Sequence, residues 1–251
     1  MPEATKLRRE RIDRGVKARS DTIFALSSYP DMLYLLFPRF LPIALLFCLP
    51  LLLGSSYWGK VIFYACVFAL LALSWDFMAS VGLVSLGQAL FFGVGSYVAG
   101  GFNHYLKWPI YLTIPVATIA GALICTVLLL PVLRLRGVYF SMVTLILPLL
   151  FAHLIETLEI LGGTYGLLSL TPFPGGRVAV YIAITAVVGV LFGFRRLINE
   201  DFGLVLRGIK DDDRVVMAGG INIYWYKAQA IFIAGAVGSF AGALMTHYYQ
   251  F

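Results

Sequence analysis

The sequence predicts an all-α fold: a polytopic transmembrane helix bundle of about seven spans, with a broken Gly-rich helix and a charged cytoplasmic surface helix between two late spans. Three observations predict it. Of 251 residues, 60% are hydrophobic and 13% charged, whereas soluble domains carry roughly 45–50% apolar and about 25% charged residues. The apolar residues fall in runs close to the roughly 20 needed to cross the hydrocarbon layer. The breaks between runs carry turn residues: Gly54-Ser55-Ser56, Ser80-Val81-Gly82, Lys107-Trp108-Pro109, Arg136-Gly137 and Pro172 to Gly176. This composition excludes a disordered chain, a disulfide-built secreted domain and a nucleic-acid binder. Cys48, Cys66 and Cys125 each lie inside an apolar run and read as small buried hydrophobes.

In chain order the spans are Arg39–Ser56, Val61–Ala79, Leu83–Tyr105, Ile110–Leu133, Val138–Leu161, Val178–Phe194 and Ala228–His247. Pro42, Pro50 and Pro148 are expected to kink or shorten their helices. Residues 1–38 form a basic cytoplasmic tail, and 39–251 the membrane domain, with 195–227 as its long cytoplasmic segment. The tail lacks the short basic region and A-x-A site of a cleavable signal peptide. Its charge suits anionic headgroups or a partner protein. The charges orient the bundle. With the amino terminus inside, sixteen Lys and Arg lie inside and three outside (Lys60, Lys107 and Arg177), a bias of the kind that sets topology.

Catalytic signatures are scarce. Gly54–Lys60 reads G-x-x-x-x-G-K, but Val61 stands where Ser or Thr would hold magnesium, and no strand precedes it. No acid, base, nucleophile or metal cluster converges, so the chain reads as a non-enzyme with no cofactor or metal of its own. His153, Glu156 and Glu159 share a helical ridge. As intramembrane ionisable groups they would serve an ion-coupled secondary transporter or channel for a small polar solute. Their place near the outer end of a span equally suits carboxylates reaching headgroup water. Asp76 reads as structural.

Three stretches are more informative. Gly82–Gly100 puts five Gly inside an apolar segment, with Ser85 and Gln88 able to bond backbone or cargo; such segments break helices, line paths or pack tightly. The loop Gly162-Gly163-Thr164-Tyr165-Gly166 is a flexible candidate mouth, and Ala234, Gly238, Gly242 and Thr246 form a small-residue ridge. Ile209–Gly219 carries acids early and a Gly-Gly stop. It predicts a short surface helix of about three turns, a handle for a cytoplasmic partner, or else a solvated loop.

Four blocks carry a family resemblance: GLVSLGQALFFGVGSYVAG from Gly82, LRLRGVYFSMVTL from Leu133, GGTYGL from Gly162, and FGLVLRGIKDDD followed by GGINIYWYKAQAIFIAGAVGSFAGAL across Phe202 to Leu244. In this order the chain resembles the membrane permeases of branched-chain amino-acid ABC importers, relatives of which carry urea or short amides. The resemblance implies an inner-membrane subunit that pairs with a homologous permease. Two ATP-binding subunits would carry ATP-Mg, and an external solute-binding protein would deliver cargo. It implies that Asp213, Ala218 and Gly220 match the ATPase-coupling positions, while Val215 and Val216 replace small alanines. Ser85, Gln88, Thr144 and Thr164 are the candidate path-lining groups. The family pattern continues past Leu244 with further spans.

Overall fold

A computed structural model describes residues 29–135, 137–168 and 170–250, without the side chains of 29–36, 38, 39, 53, 160 and 164. The basic tail over 1–28 and Arg136 therefore lie outside the described residues. Every regular element described is helical. In order these are α1 (Tyr29–Leu53), α2 (Ser56–Ser80), α3 (Gln88–Leu106), α4 (Ile110–Leu129), α5 (Val138–Leu158), α6 (Gly176–Asn199), α7 (Asp201–Asp211), α8 (Asp213–Ala218) and α9 (Ile223–Tyr249). Short 3-10 turns cover Pro131–Arg134 and Ile160–Tyr165. The chain divides into 1–45 and 46–251, and the second unit holds the core.

Five described helices are long and apolar enough to span a membrane: α2, α4, α5, α6 and α9. The sequence pattern suggested seven. The difference lies in α1, whose described apolar stretch is Phe40–Leu52, and in α3. The latter has 19 residues and includes Gly93, Gly95, Gly100, Gly101, Gln88, Ser96, Asn103 and His104. It packs chiefly on α9 and α4, so protein rather than lipid surrounds much of it and the apolar requirement relaxes. None of the three prolines ends its helix. α1 runs through Pro42 and Pro50, and α5 through Pro148, as spans do when neighbouring groups satisfy the freed backbone. Residues 56–60 of the phosphate-loop look-alike, Gly59 and Lys60 included, lie within α2. Cys66 and Cys125 are buried as expected, whereas Cys48 is exposed, because its face of α1 is uncovered by described residues.

α9 is the axis of the core. Its small-residue ridge meets α3 and α4 of this same chain. A Cβ on Gly95 or Gly242 would run into the backbone of Ser239 or Phe92 respectively, so Gly lets these helices approach to backbone contact. The Ser239 hydroxyl donates to the Phe91 carbonyl at 3.2 Å. Around this seam, Phe77, Phe91, Leu129, Leu206 and Ile231 form one buried cluster, and Phe63, Leu70, Ile184 and Leu244 another.

Candidate functional site

The break in the Gly-rich segment lies at its start, before α3. α2 ends at Ser80, the chain turns through Gly82 (φ +81), and Leu83–Gly87 runs non-helically to the start of α3. The Ser74 hydroxyl lies 2.9 Å from the Ala234 carbonyl and 3.1 Å from Gln88 Oε1. Ser74 is more than a turn short of the end of α2, about 9 Å along its axis. The chain thus descends past this level, turns, and climbs back before α3 begins.

A backbone exposed this way needs local partners, since lipid offers none. The Leu83 N–H donates to the Met78 carbonyl at 3.1 Å, and the Leu86 N–H to Thr144 Oγ1 at 3.1 Å. The Gly87 N–H donates to Ser85 Oγ at 3.1 Å. The Ser141 hydroxyl donates to the Val84 carbonyl. A Cβ on Gly87 would collide with the Thr144 carbonyl, so this segment lies tightly on α5. Of the residues chosen from sequence as polar groups in apolar spans, Ser85 and Thr144 both bond this segment, while Gln88, opening α3, meets Ser74 and Met78 of α2. Ser85 and Thr144 are buried, and all three hold the break. Thr164 lies in the Ile160–Tyr165 turn, and its side chain is outside the described residues.

Beyond the break, α3 and α5 diverge around a cavity of about 1280 Å³. Its walls are Gly93, Tyr97 and Gly101 of α3, Ala120 and Ile124 of α4, and Leu145, Leu149 and Ala152 of α5. Gly163, Tyr165 and Gly166 close one end, which places the candidate mouth loop on this space. Glu156 reaches its edge. The His153 Nδ1–Glu156 Oε2 pair is 3.3 Å long, with side chains 79% and 51% exposed. Glu159 and Asp76 are also exposed. At the same end of α3, Asn103 accepts from the Thr171 N–H at 2.9 Å and donates to the Trp108 carbonyl at 2.8 Å. His247 Nδ1 bonds the Thr171 carbonyl at 3.1 Å, fastening the 166–175 loop to α9. Sequence reasoning missed this knot because Asn103, Thr171 and His247 are far apart in the chain.

At the opposite end of α3, the charged segment forms two helices where one was expected. Asp212 is extended (φ −154) and its Oδ1 accepts from the Arg214 N–H at 2.9 Å, capping α8. An Asp inside an acidic run interrupts a helix when its side chain serves as N-cap of the next. α7 buries Gly203, Leu206 and Ile209, while α8 buries none of its residues. Asp213 is half-buried and Ala218 and Gly220 exposed. Sequence reasoning also missed Lys227, which is buried in the first turns of α9 with its Nζ 3.7 Å from Asp213 Oδ2. Its signal was present: a lone Lys opening an apolar run.

Among the described residues, no group of three His, Cys, Asp or Glu could hold a metal. The fold and cavity define a class, the polytopic helical membrane proteins. The chain belongs to the family of branched-chain amino acid transport system permease components, whose pattern matches residues 26–251. It is 27% identical to the high-affinity branched-chain amino acid transport system permease protein LivM of Escherichia coli (strain K12), over 79% of this chain and 60% of that protein. It is 28% identical to the protein of the same name from Salmonella typhimurium, over 65% and 46%. With the probable branched-chain amino acid transport permease protein LivM of Methanocaldococcus jannaschii it shares 29% identity, over 67% and 56%. The chain thus spans between 46% and 60% of the length of these relatives. No solved structure matches it.

Proposed function

We propose that the chain works as the membrane-spanning permease subunit of an ABC importer, moving branched-chain or related amino acids across the cytoplasmic (inner) membrane. The observation that carries the reading is the family match over residues 26–251. The α7–α8 segment between two spans is consistent with it. The amino terminus and α7–α8 lie in the cytoplasm, as the charge bias favours. A homologous permease pairs with this one, two ATP-binding subunits hold ATP-Mg and seat against Asp213–Gly220, and an external solute-binding protein delivers cargo. This chain supplies no ATP-hydrolysing site.

The path in this reading is the cavity between α3 and α5, whose largely apolar walls suit a branched aliphatic side chain. Ser85, Gln88 and Thr144 fix its inner end, and Thr164 belongs to the loop at its mouth. Transport requires two states with different contacts; the break before α3 and the lightly packed α5 are the parts free to differ. The test is purification of the full natural protein in mild detergent, with mass spectrometry of what stays bound. A second permease and an ATP-binding subunit, lost when Asp213–Gly220 is replaced by a flexible linker, are expected. A lone protein or homo-oligomer would contradict the reading.

A further inference from the structure

Lysine is rarely buried without a partner. Lys227 and Asp213 nonetheless keep side chains only 9% and 15% exposed, with their charged atoms 3.7 Å apart. They border a pocket of about 410 Å³ where four separate pieces of chain meet. These are the Val81–Leu83 turn, the Leu135–Phe140 turn into α5, the α7–α8 junction and the first turns of α9. Lys210 of α7 rests on the first piece: a Cβ on Gly82 would stand 3.2 Å from the Lys210 Cα. Gly82 also holds φ +81, so a side chain there would be strained as well as crowded.

The two short helices are held differently. α7 is anchored by Leu206 and Ile209, which join the core cluster with Phe77, Val81 and Leu83. α8 buries no residue, and its apolar contribution to that cluster is the partly buried Val216. A buried ion pair adds little net stability over an apolar pair, yet it favours one arrangement, because separating the charges loses their attraction without returning either to water. Here that arrangement ties α8 to the central helix α9, beside the turn that leads to the start of α3.

We infer that the Asp213–Lys227 ion pair is a strut that makes α8, α9 and the Val81–Gly87 break move as one piece, so that displacement of the α7–α8 segment reaches the inner end of the α3–α5 cavity. Both residues are positioning residues: they act through the break and touch no cargo. Without the strut a push on α8 would reach α9 less fully, and the break would feel it chiefly through α7, whose Lys210 rests on Gly82 and whose Leu206 and Ile209 share a cluster with Val81 and Leu83. The inference rests on the proposed role of α7–α8 as the seat of the ATP-binding subunits.

The experiment uses the full natural protein with its co-purifying subunits, in three forms that leave Asp213 and the seat untouched: unaltered, Lys227→Gln and Lys227→Arg. In proteoliposomes, the amino acid moved per ATP hydrolysed falls about tenfold in Lys227→Gln, the scale of a coupling free energy between sites. It stays near the unaltered value in Lys227→Arg, which keeps the charge, while the ATP-binding subunits stay bound in all three. In the purified permease alone, amide hydrogen exchange at 81–87 speeds up in Lys227→Gln but not in Lys227→Arg. A Lys227→Gln protein that moves as much cargo per ATP as the unaltered protein overturns the inference. So does a well-folded Lys227→Arg protein that is equally uncoupled, or a loss of the bound subunits in Lys227→Gln. If the unaltered protein brings down no ATP-binding subunit, the parent reading fails instead, and the exchange at 81–87 then decides the strut by itself.

Discussion

Thr144 carries more of this structure than its size suggests. Its hydroxyl oxygen accepts from the Leu86 N–H while its own proton goes to the Ser141 carbonyl at 2.9 Å, so one side chain serves both a helix and the extended segment before α3. Thr144→Val keeps the shape and removes the acceptor. It should cost about 1–3 kcal/mol, the penalty for a donor left without its partner away from water, whereas Thr144→Ser should cost little; denaturant unfolding in detergent micelles measures both. At the seam with α9 the constraint is steric. Gly95→Val drives a side chain into the Ser239 backbone, and overpacking of this kind costs about 1–3 kcal/mol or more. Ser239→Ala, which removes only the hydroxyl, should be far milder in the same assay. Residue types alone singled out Ser85, Gln88 and Thr144, and the structure gives each a partner at the break, because polar groups in an apolar span must find partners. What they hold was illegible, since the extended path of Leu83–Gly87 depends on where α2 and α5 sit. Lys227 was legible as an unusual charge but not as half of a pair, since Asp213 was one of three adjacent acids of equal promise.

Among the elements, α5 stands out as the least enclosed span. Met142, Leu145, Ile146, Leu149, Leu150 and Leu154 are all exposed, and it packs only lightly on α3, while Gly87, just before α3, lies against its Thr144. α9 is the opposite case, with its small-residue ridge consumed by α3 and α4. That ridge announced an interface in the sequence; that the partner lay within the chain followed only from the packing. The acidic ridge on α5 tests the rival, ion-coupled reading. The His153–Glu156 pair is exposed at the end of the span, and exposed pairs contribute less than about 1 kcal/mol. Glu156→Gln with His153→Ala should therefore leave stability within that margin, and transport within about twofold. Transport that disappears in this double variant while the fold persists would favour ion coupling. The division of the charged segment at Asp212 was hidden because capping by the middle residue of Asp211-Asp212-Asp213 is decided by local geometry, not by composition.

For the molecule as a whole, the span pattern was readable because lipid imposes length and hydrophobicity on each crossing, and α2, α4, α5, α6 and α9 obey it. α3 escaped the rule because it is packed in protein. Orientation is a separate prediction. In a variant with Cys48, Cys66 and Cys125 replaced by Ala, a cysteine at Tyr165 should react with a membrane-impermeant thiol reagent in intact cells. A cysteine at Val215 should react only after the membrane is opened; the reverse pattern would invert the topology. The central claim, that movement of the α7–α8 segment drives passage between α3 and α5, is tested most directly by uptake of labelled leucine into proteoliposomes holding the assembled complex and a binding protein. With ATP available to the ATP-binding subunits and no ion gradient, the expected result is uptake that disappears when Asp213–Gly220 becomes a flexible linker. Uptake driven by an ion gradient without ATP, and indifferent to that linker, would contradict it.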